Sequence, residues 1–228
     1  MQSLRPEWDI AMYPAVEAAR LVGLRTVRVR RWLKGYEYWY ESQIRHQRPV
    51  VRRRSTAGTT YASFLDLIDL LFIKNFLDYG ISLQKIRKAL DEAAQILNTD
   101  HFARQIFFAD GRNIYLQVKE EGDAILQLLS GGQWVIAPII QQLADQIEFD
   151  APTGIARRWY PMGPNGLIVL DPLVSFGRPT IVKRGIATAN VYDLFMAESH
   201  KADHVSSWLN LTPKEVDAAI EFEERLAA

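Results

Sequence analysis

Three features of this sequence predict an α+β fold that is mainly α-helical. Apolar residues recur at three- and four-residue steps through the first hundred positions, punctuated by Gly23, Gly35 and Gly80. Residues 106–118 are two β-prone runs around Asp110-Gly111, a strong hairpin signal. Residues 166–228 pass from short extended runs into three helical patterns. A chain of 228 residues with 48% hydrophobic content can bury more than one core, since domains commonly run to about 100–150 residues. The expected division is a head (1–100), a connector (101–165) and a tail (166–228). The chain has no cysteine, which excludes thiol catalysis, disulfides and cysteine-held metals. No apolar run approaches the ~20 residues of a membrane span and residues 1–7 lack a signal-peptide core, so a soluble, cytoplasmic protein with no membrane partner is expected.

Residues 1–13 read as a loosely held arm, and Tyr13-Pro14 leads into a helix because proline suits an opening turn. Residues 16–24 form a short amphipathic pattern that stops at Gly23. Residues 26–34 read as a second helix stopped by Gly35, with Val29, Trp32 and Leu33 on one side. Two short helices about a tight glycine turn make a helix-turn-helix, whose second helix is the one that enters a major groove.

Charge points the same way. Residues 25–54 carry ten Arg or Lys against two Glu, a net of +8 in a chain whose total is zero. Such segregation gives a basic face that attracts polyanions, although a solvated arginine-rich surface has the same composition. Arg28 and Arg31 are three apart and share the outer face, with Thr26 and Val27 beside them. From there Arg28 or Arg31 can reach guanine edges, Thr26 and Val27 a thymine methyl, and Arg25, Arg30 and Lys34 the phosphates of double-stranded DNA.

The residues that follow suit a β-hairpin wing, which places Arg52, Arg53 and Arg54 as phosphate contacts. The aromatic run Tyr36, Tyr38, Trp39 and Tyr40 is expected to pack as core in preference to stacking on bases. From Ser63, a helical stripe of Phe64, Leu65, Ile68, Leu71, Phe72 and Phe76 ends at Tyr79-Gly80. Ser82 then caps a helix striped by Leu83, Ile86, Leu90, Ala93, Ala94 and Leu97.

The order helix-turn-helix, wing, helix and then "DYGISLQKIRKAL" resembles the DNA-binding domain of the MerR family over about residues 12–98. That resemblance implies a buried helix, a glycine turn and a dimer-forming helix. Arg25 departs from it, standing where the family usually has a capping serine or threonine.

After the hairpin, helical patterns are expected near residues 123–129 and 138–147, with Gly131-Gly132 a turn because it has neither dinucleotide-binding spacing nor a P-loop lysine. Residues 147–149 and 156–160 read as strands. No nucleophile and base stand together, so a non-enzyme without cofactor is expected.

In the tail, Asp171-Pro172, then Phe176-Gly177-Arg178-Pro179 and a Thr188-led helix, look like the small trihelical domain at the C-terminus of many VapB-type antitoxins. With the MerR-like head, the whole chain is similar to the larger VapB-type antitoxins that pair with PIN-domain ribonucleases. This implies a homodimer that neutralises a PIN-domain toxin and represses its own promoter. A stand-alone MerR-like regulator sensing a ligand through Trp134, Trp159, Tyr160 and Trp208 is the alternative.

Thr212 and Glu215 read as a capping box opening the last helix. That helix carries Lys214 and Arg225 against five acids, and phosphate repels that sign. The loop cations Arg178, Lys183 and Arg184 are therefore the expected toxin contacts, since arginine matches carboxylates bidentately. Arg178 could instead brace its own fold through Asp171 or Asp193. His200 and His204 read as exposed helix and not as metal ligands.

Overall fold

Proline at position 14 leads into the first helix, and of the expected loose arm only residues 11–13 are described, which together with Pro14 form a strand. In the computed structural model, which describes residues 11–53, 58–78, 80–96, 101, 142–143 and 145–227, β1 (Ala11–Pro14) pairs antiparallel with β4 (Tyr61–Ser63). Burial of Tyr13, 1% exposed, explains why this stretch is held. The chain divides into two compact units, Met1–Ala144 with Phe149–Ala156, and Asp145–Glu148 with Arg157–Ala228.

In the first unit, α1 (Ala15–Val22) closes at Gly23, whose φ of 67° is left-handed. Helix α2 (Thr26–Lys34) follows, burying Val29, Trp32 and Leu33 as its spacing requires. Gly35 ends it for a steric reason as well: a Cβ there would stand 2.5 Å from the Gln47 carbonyl. That close approach joins the two ends of a hairpin, β2 (Tyr36–Tyr40) with β3 (Gln43–Gln47), in the register Tyr36↔Gln47 to Tyr40↔Gln43. Its turn, Glu41-Ser42, has φ of 48° and 61°, the paired left-handed residues of a two-residue loop.

Helix α3 (Phe64–Asp78) is the spine of this unit, with eleven residues buried from Phe64 to Phe76. Ser63 and Asp66 cap its start reciprocally, Ser63 N–H donating to Asp66 at 2.9 Å and Asp66 N–H to the Ser63 hydroxyl at 3.1 Å. Helix α4 (Leu83–Ile96) follows Gly80 and packs Ile86 and Leu90 inward.

The second unit holds most of a four-stranded sheet in the order β5 (Ile147–Phe149), β6 (Ala156–Trp159), β7 (Ile168–Leu170), β8 (Pro179–Ile181), in which β6–β7 and β7–β8 pair antiparallel. Helices α5 (Thr188–Ala197), α6 (Ala202–Leu209) and α7 (Pro213–Ala227) complete it. Ile168, Leu170, Ile181, Val191, Val205, Val216 and Phe222 make its core. The expected Thr212–Glu215 capping box is present, Thr212 N–H donating to Glu215 at 2.7 Å and Glu215 N–H to the Thr212 hydroxyl at 3.3 Å. The expected 106–118 hairpin, the 123–129 helix, Gly131-Gly132 and Trp134 lie outside the described residues.

Candidate nucleic-acid interface

The outward side of α2 displays a dense set of cations. Val29 is fully buried and Trp32 and Leu33 nearly so, which turns Arg25, Arg28, Arg30, Arg31 and Lys34 into solvent. Val27 is 57% exposed beside them and Thr26 half-buried. Arg25 occupies the N-cap in extended conformation and supplies no side-chain cap. Two of the guanidiniums rest on rings, Arg28 5.9 Å from the Trp32 centroid and Arg31 4.8 Å from that of Tyr36. Such contacts restrict an arginine's rotamers while leaving its N–H groups free to donate.

The hairpin extends this face. Period-two alternation puts Tyr36, Tyr38 and Tyr40 on one side with Gln43, Arg45 and Gln47, and Trp39 on the other with its cross-strand partner Ile44. Every one of these aromatics is exposed, Trp39 at 73% and Tyr40 at 51%, so the expectation that they pack as core is overturned. A thin two-stranded ribbon offers no neighbour to cover them. Tyr36 and Tyr38 lie 5.9 Å apart, and Arg45 sits 4.8 Å over Tyr40. Arg31, Tyr36, Tyr38, Tyr40 and Arg45 thus form one line from α2 to the hairpin turn. Arg45 is an exposed cation of the hairpin to which the sequence assigns no role.

The arginine run after the hairpin behaves differently. Val50 and Val51 are buried, and their N–H groups donate to the Trp32 carbonyl at 2.9 and 3.2 Å, which pins the segment to the end of α2. Arg48 and Arg52 both pair with Asp91 of α4, Arg52 at 2.6 Å. Against the opposing effect of burial, hydrogen bonds from Arg52 and then Arg48 hold the Asp91 carboxyl below its ordinary range. These groups line a cavity of about 330 Å³ together with Arg53 and Arg87.

Arg53 is a correction to the sequence reading. Its side chain is 2% exposed and donates to the carbonyls of Tyr61 (2.7 Å), Leu33 (2.8 Å) and Thr59 (2.7 Å), so it braces the fold in place of gripping phosphate. Arg52, tied to Asp91, is likewise not a free phosphate contact, and Arg54 lies outside the described residues.

Beneath Arg53 is a buried cluster that the sequence reading did not single out. Asp66, Asp69 and His101 bring ligand atoms within 4.8 Å of one another, with His101 Nδ1 2.7 Å from Asp69. Arg53 Nη1 stands 3.6 Å from Asp66 and already supplies positive charge there. Burial pushes the Asp66 carboxyl up to about 6, outweighing the pull of His101, the Ser63 N–H and Arg53. Two aspartates three apart in the apolar run "FLDLIDLLFI" were the available signal.

In the second unit Arg178 and Lys183 are exposed, while Arg184 donates to Glu215 at 3.0 Å. Asp171 accepts from Arg158 at 2.5 Å and from Leu173 N–H at 2.9 Å, so it does not brace Arg178. His204 bonds Glu198 at 3.0 Å, and His200 precedes α6, packed edge-on against Phe195. Trp159 is buried in the sheet whereas Trp208 is 68% exposed, opposite environments for two supposed members of one ligand pocket.

Residues 11–90 match a family model described as "Putative DNA-binding HTH domain". The chain is 24% identical over 202 residues to "Putative antitoxin VapB45" of Mycobacterium tuberculosis, covering 83% of this chain and 84% of that protein. It is 33% identical over 100 residues to "Uncharacterized HTH-type transcriptional regulator Rv1830" of the same organism, 43% of this chain and 42% of that one. The crystal structure of Rv2018 from Mycobacterium tuberculosis has the same fold, with a TM-score of 0.69 at 21% identity over 93% of this chain and 99% of that one. The chain thus resembles a VapB-type antitoxin with a helix-turn-helix head, and its fold is mixed helix and sheet. No described helix is long and apolar enough to cross a membrane.

Proposed function

We propose that this chain is the antitoxin of a toxin–antitoxin pair, neutralising a PIN-domain ribonuclease and repressing its own promoter by binding operator DNA as a homodimer. The observation that carries the DNA half is the exposed face of α2, where Arg28 and Arg31 project beside Val27 from a helix anchored by Val29, Trp32 and Leu33. A short helix with base-reading cations on one side and core on the other is what a major groove accepts. In this reading α1 to α4 are a MerR-like winged unit, Arg25, Arg30, Lys34 and Arg45 hold phosphates, and Thr26 and Val27 touch bases. Helix α4 pairs two copies, because one recognition helix gives too little contact for operator-level affinity.

The toxin half is supported by likeness over most of the chain to a protein named as an antitoxin. It is also supported by the placement of cations. Residues 166–228 are the antitoxin-associated trihelical part, whose acidic α7 suits neither phosphate nor a carboxylate-lined active site. Exposed Arg178 and Lys183, with Arg184, are the proposed toxin contacts.

The testing experiment uses the purified full chain in two assays. One follows RNA cleavage by a PIN-domain ribonuclease, to be sought in the adjacent reading frame, and the other follows binding to the DNA upstream of the chain's own frame. The reading requires stoichiometric inhibition in the first and salt-sensitive, sequence-selective binding in the second. Selective DNA binding with no effect on the ribonuclease would favour a regulator without a toxin.

A further inference from the structure

The loop from Asp171 to Arg178 is folded against the preferences of its own residues. Ser175, Phe176 and Gly177 have consecutive left-handed φ values of 48°, 56° and 75°. Only the third is glycine, so two L side chains bear a strain that glycine would avoid. The conformation is nevertheless over-determined. Asp171, itself held by Arg158, accepts Leu173 N–H at 2.9 Å on its side chain and Val174 N–H at 2.9 Å on its carbonyl. Gly177 N–H donates to the Val174 carbonyl at 3.0 Å, and the Ser175 hydroxyl to that of Gly185 at 3.0 Å. A strained backbone that its surroundings hold this firmly is a mark of function.

What the loop displays is an apolar ring. Phe176 is 86% exposed, more than any other large hydrophobic side chain among the described residues, and Leu173 at 53% lies on the same loop. Neither group gains anything for the fold by facing water. The exposed charges nearest in sequence are cationic: residues 172–187 contain Arg178, Lys183 and Arg184 and no acid, and of the three Arg184 is paired with Glu215. A second copy is a poor occupant, because a two-fold contact through this loop would bring its own cations together.

We infer that Phe176, flanked by Leu173, is the anchor of the protein–protein contact, entering an apolar pocket rimmed by carboxylates on the ribonuclease, with Arg178 and Lys183 meeting the rim. This rests on the reading under Proposed function. Buried aromatic anchors at the centre of an interface carry most of its affinity, while rim charges tune its salt dependence.

The test is calorimetric titration of the chain with the PIN-domain ribonuclease that the stoichiometric-inhibition assay identifies, alongside thermal melting of each variant. Phe176→Gly removes the ring and relieves the strain. It should melt at or above the parent temperature yet bind at least about 30-fold more weakly. Phe176→Leu should recover part of the affinity. Arg178→Ala should cost less, and less still at high salt. Parental binding by Phe176→Gly overturns the inference alone, as does a fall in its melting temperature, which would make the ring a structural element. A change confined to self-association or to DNA binding also overturns it. If the parent chain does not bind the ribonuclease at all, the toxin reading and this inference fall together.

Discussion

Replacing Arg53 by alanine distinguishes a structural arginine from a DNA-binding one. Its guanidinium donates to three carbonyls, those of Leu33, Thr59 and Tyr61, and faces Asp66 at 3.6 Å inside the protein. Losing three hydrogen bonds, two to exposed carbonyls and one to a part-buried one, costs about 0.5–1.5 kcal/mol each, and removing one partner of a buried ion pair costs about 3–5 kcal/mol. The two figures overlap because one group serves both roles. Asp66 can also limit the loss by taking up a proton, since burial has already raised its carboxyl to about 6. A destabilisation of about 3–5 kcal/mol at neutral pH follows, or roughly 6–20 °C in the transition of the first unit at about 2–4 °C per kcal/mol. Arg53→Lys keeps the charge but cannot span the three carbonyls, and should recover only part. Arg52→Ala, which breaks a partly exposed pair with Asp91, should cost under about 1 kcal/mol. Calorimetric melting checks this. An Arg53→Ala protein that melts with the parent, but whose DNA affinity has a weaker dependence on salt, would refute the reasoning and return Arg53 to the phosphates.

Two further predictions concern the same unit. Arg45→Ala should lower the slope of log affinity against log salt by about 0.9, one phosphate contact, whereas Arg52→Ala should leave it nearly unchanged; a filter-binding series at several salt concentrations would expose the reverse order. Asp66 gives a pH signature: its folded value of about 6 lies above the ordinary 3.8, so the protonated form is favoured by folding. Its contribution is therefore fully present below about pH 4 and lost as pH rises through about 6, a change of about 3 kcal/mol. The groups facing it are Arg53, Asp69 and His101. Subtracting the stability of Asp66→Asn from that of the parent across pH 4–7 isolates the effect, and a flat difference would count against a buried, raised carboxyl.

Local signals were legible where they are self-contained. Thr26–Lys34 begins and ends as its apolar spacing and Gly35 require, and the Thr212–Glu215 box caps α7 through groups three residues apart. What was not legible depends on neighbours distant in sequence. Arg53 stands in a basic run whose members look alike, and it is the carbonyls of Leu33, twenty residues earlier, Thr59 and Tyr61, with Asp66, that draw it inward. Strand β1 needed β4, about fifty residues on, to be a strand at all. The aromatics of β2 misled through residue type: the alternation of Tyr36, Tyr38 and Tyr40 was visible, but nothing local says that a two-stranded ribbon lacks a covering layer. The left-handed Ser175-Phe176 pair runs against residue preference, so no propensity argument reaches it.

The central claim is that the outward face of α2 reads DNA. Its most direct test is an anisotropy titration of the full-length chain against the DNA upstream of its own reading frame and a scrambled duplex, at fixed salt, with parent, Arg28→Ala and Arg31→Ala. Each substitution should weaken the specific complex by about 1–3 kcal/mol, roughly 5- to 150-fold, and change scrambled-duplex affinity far less, narrowing the ratio between the two. If both variants hold the upstream DNA with parental affinity and selectivity, α2 is not the recognition helix and the account is wrong at its root.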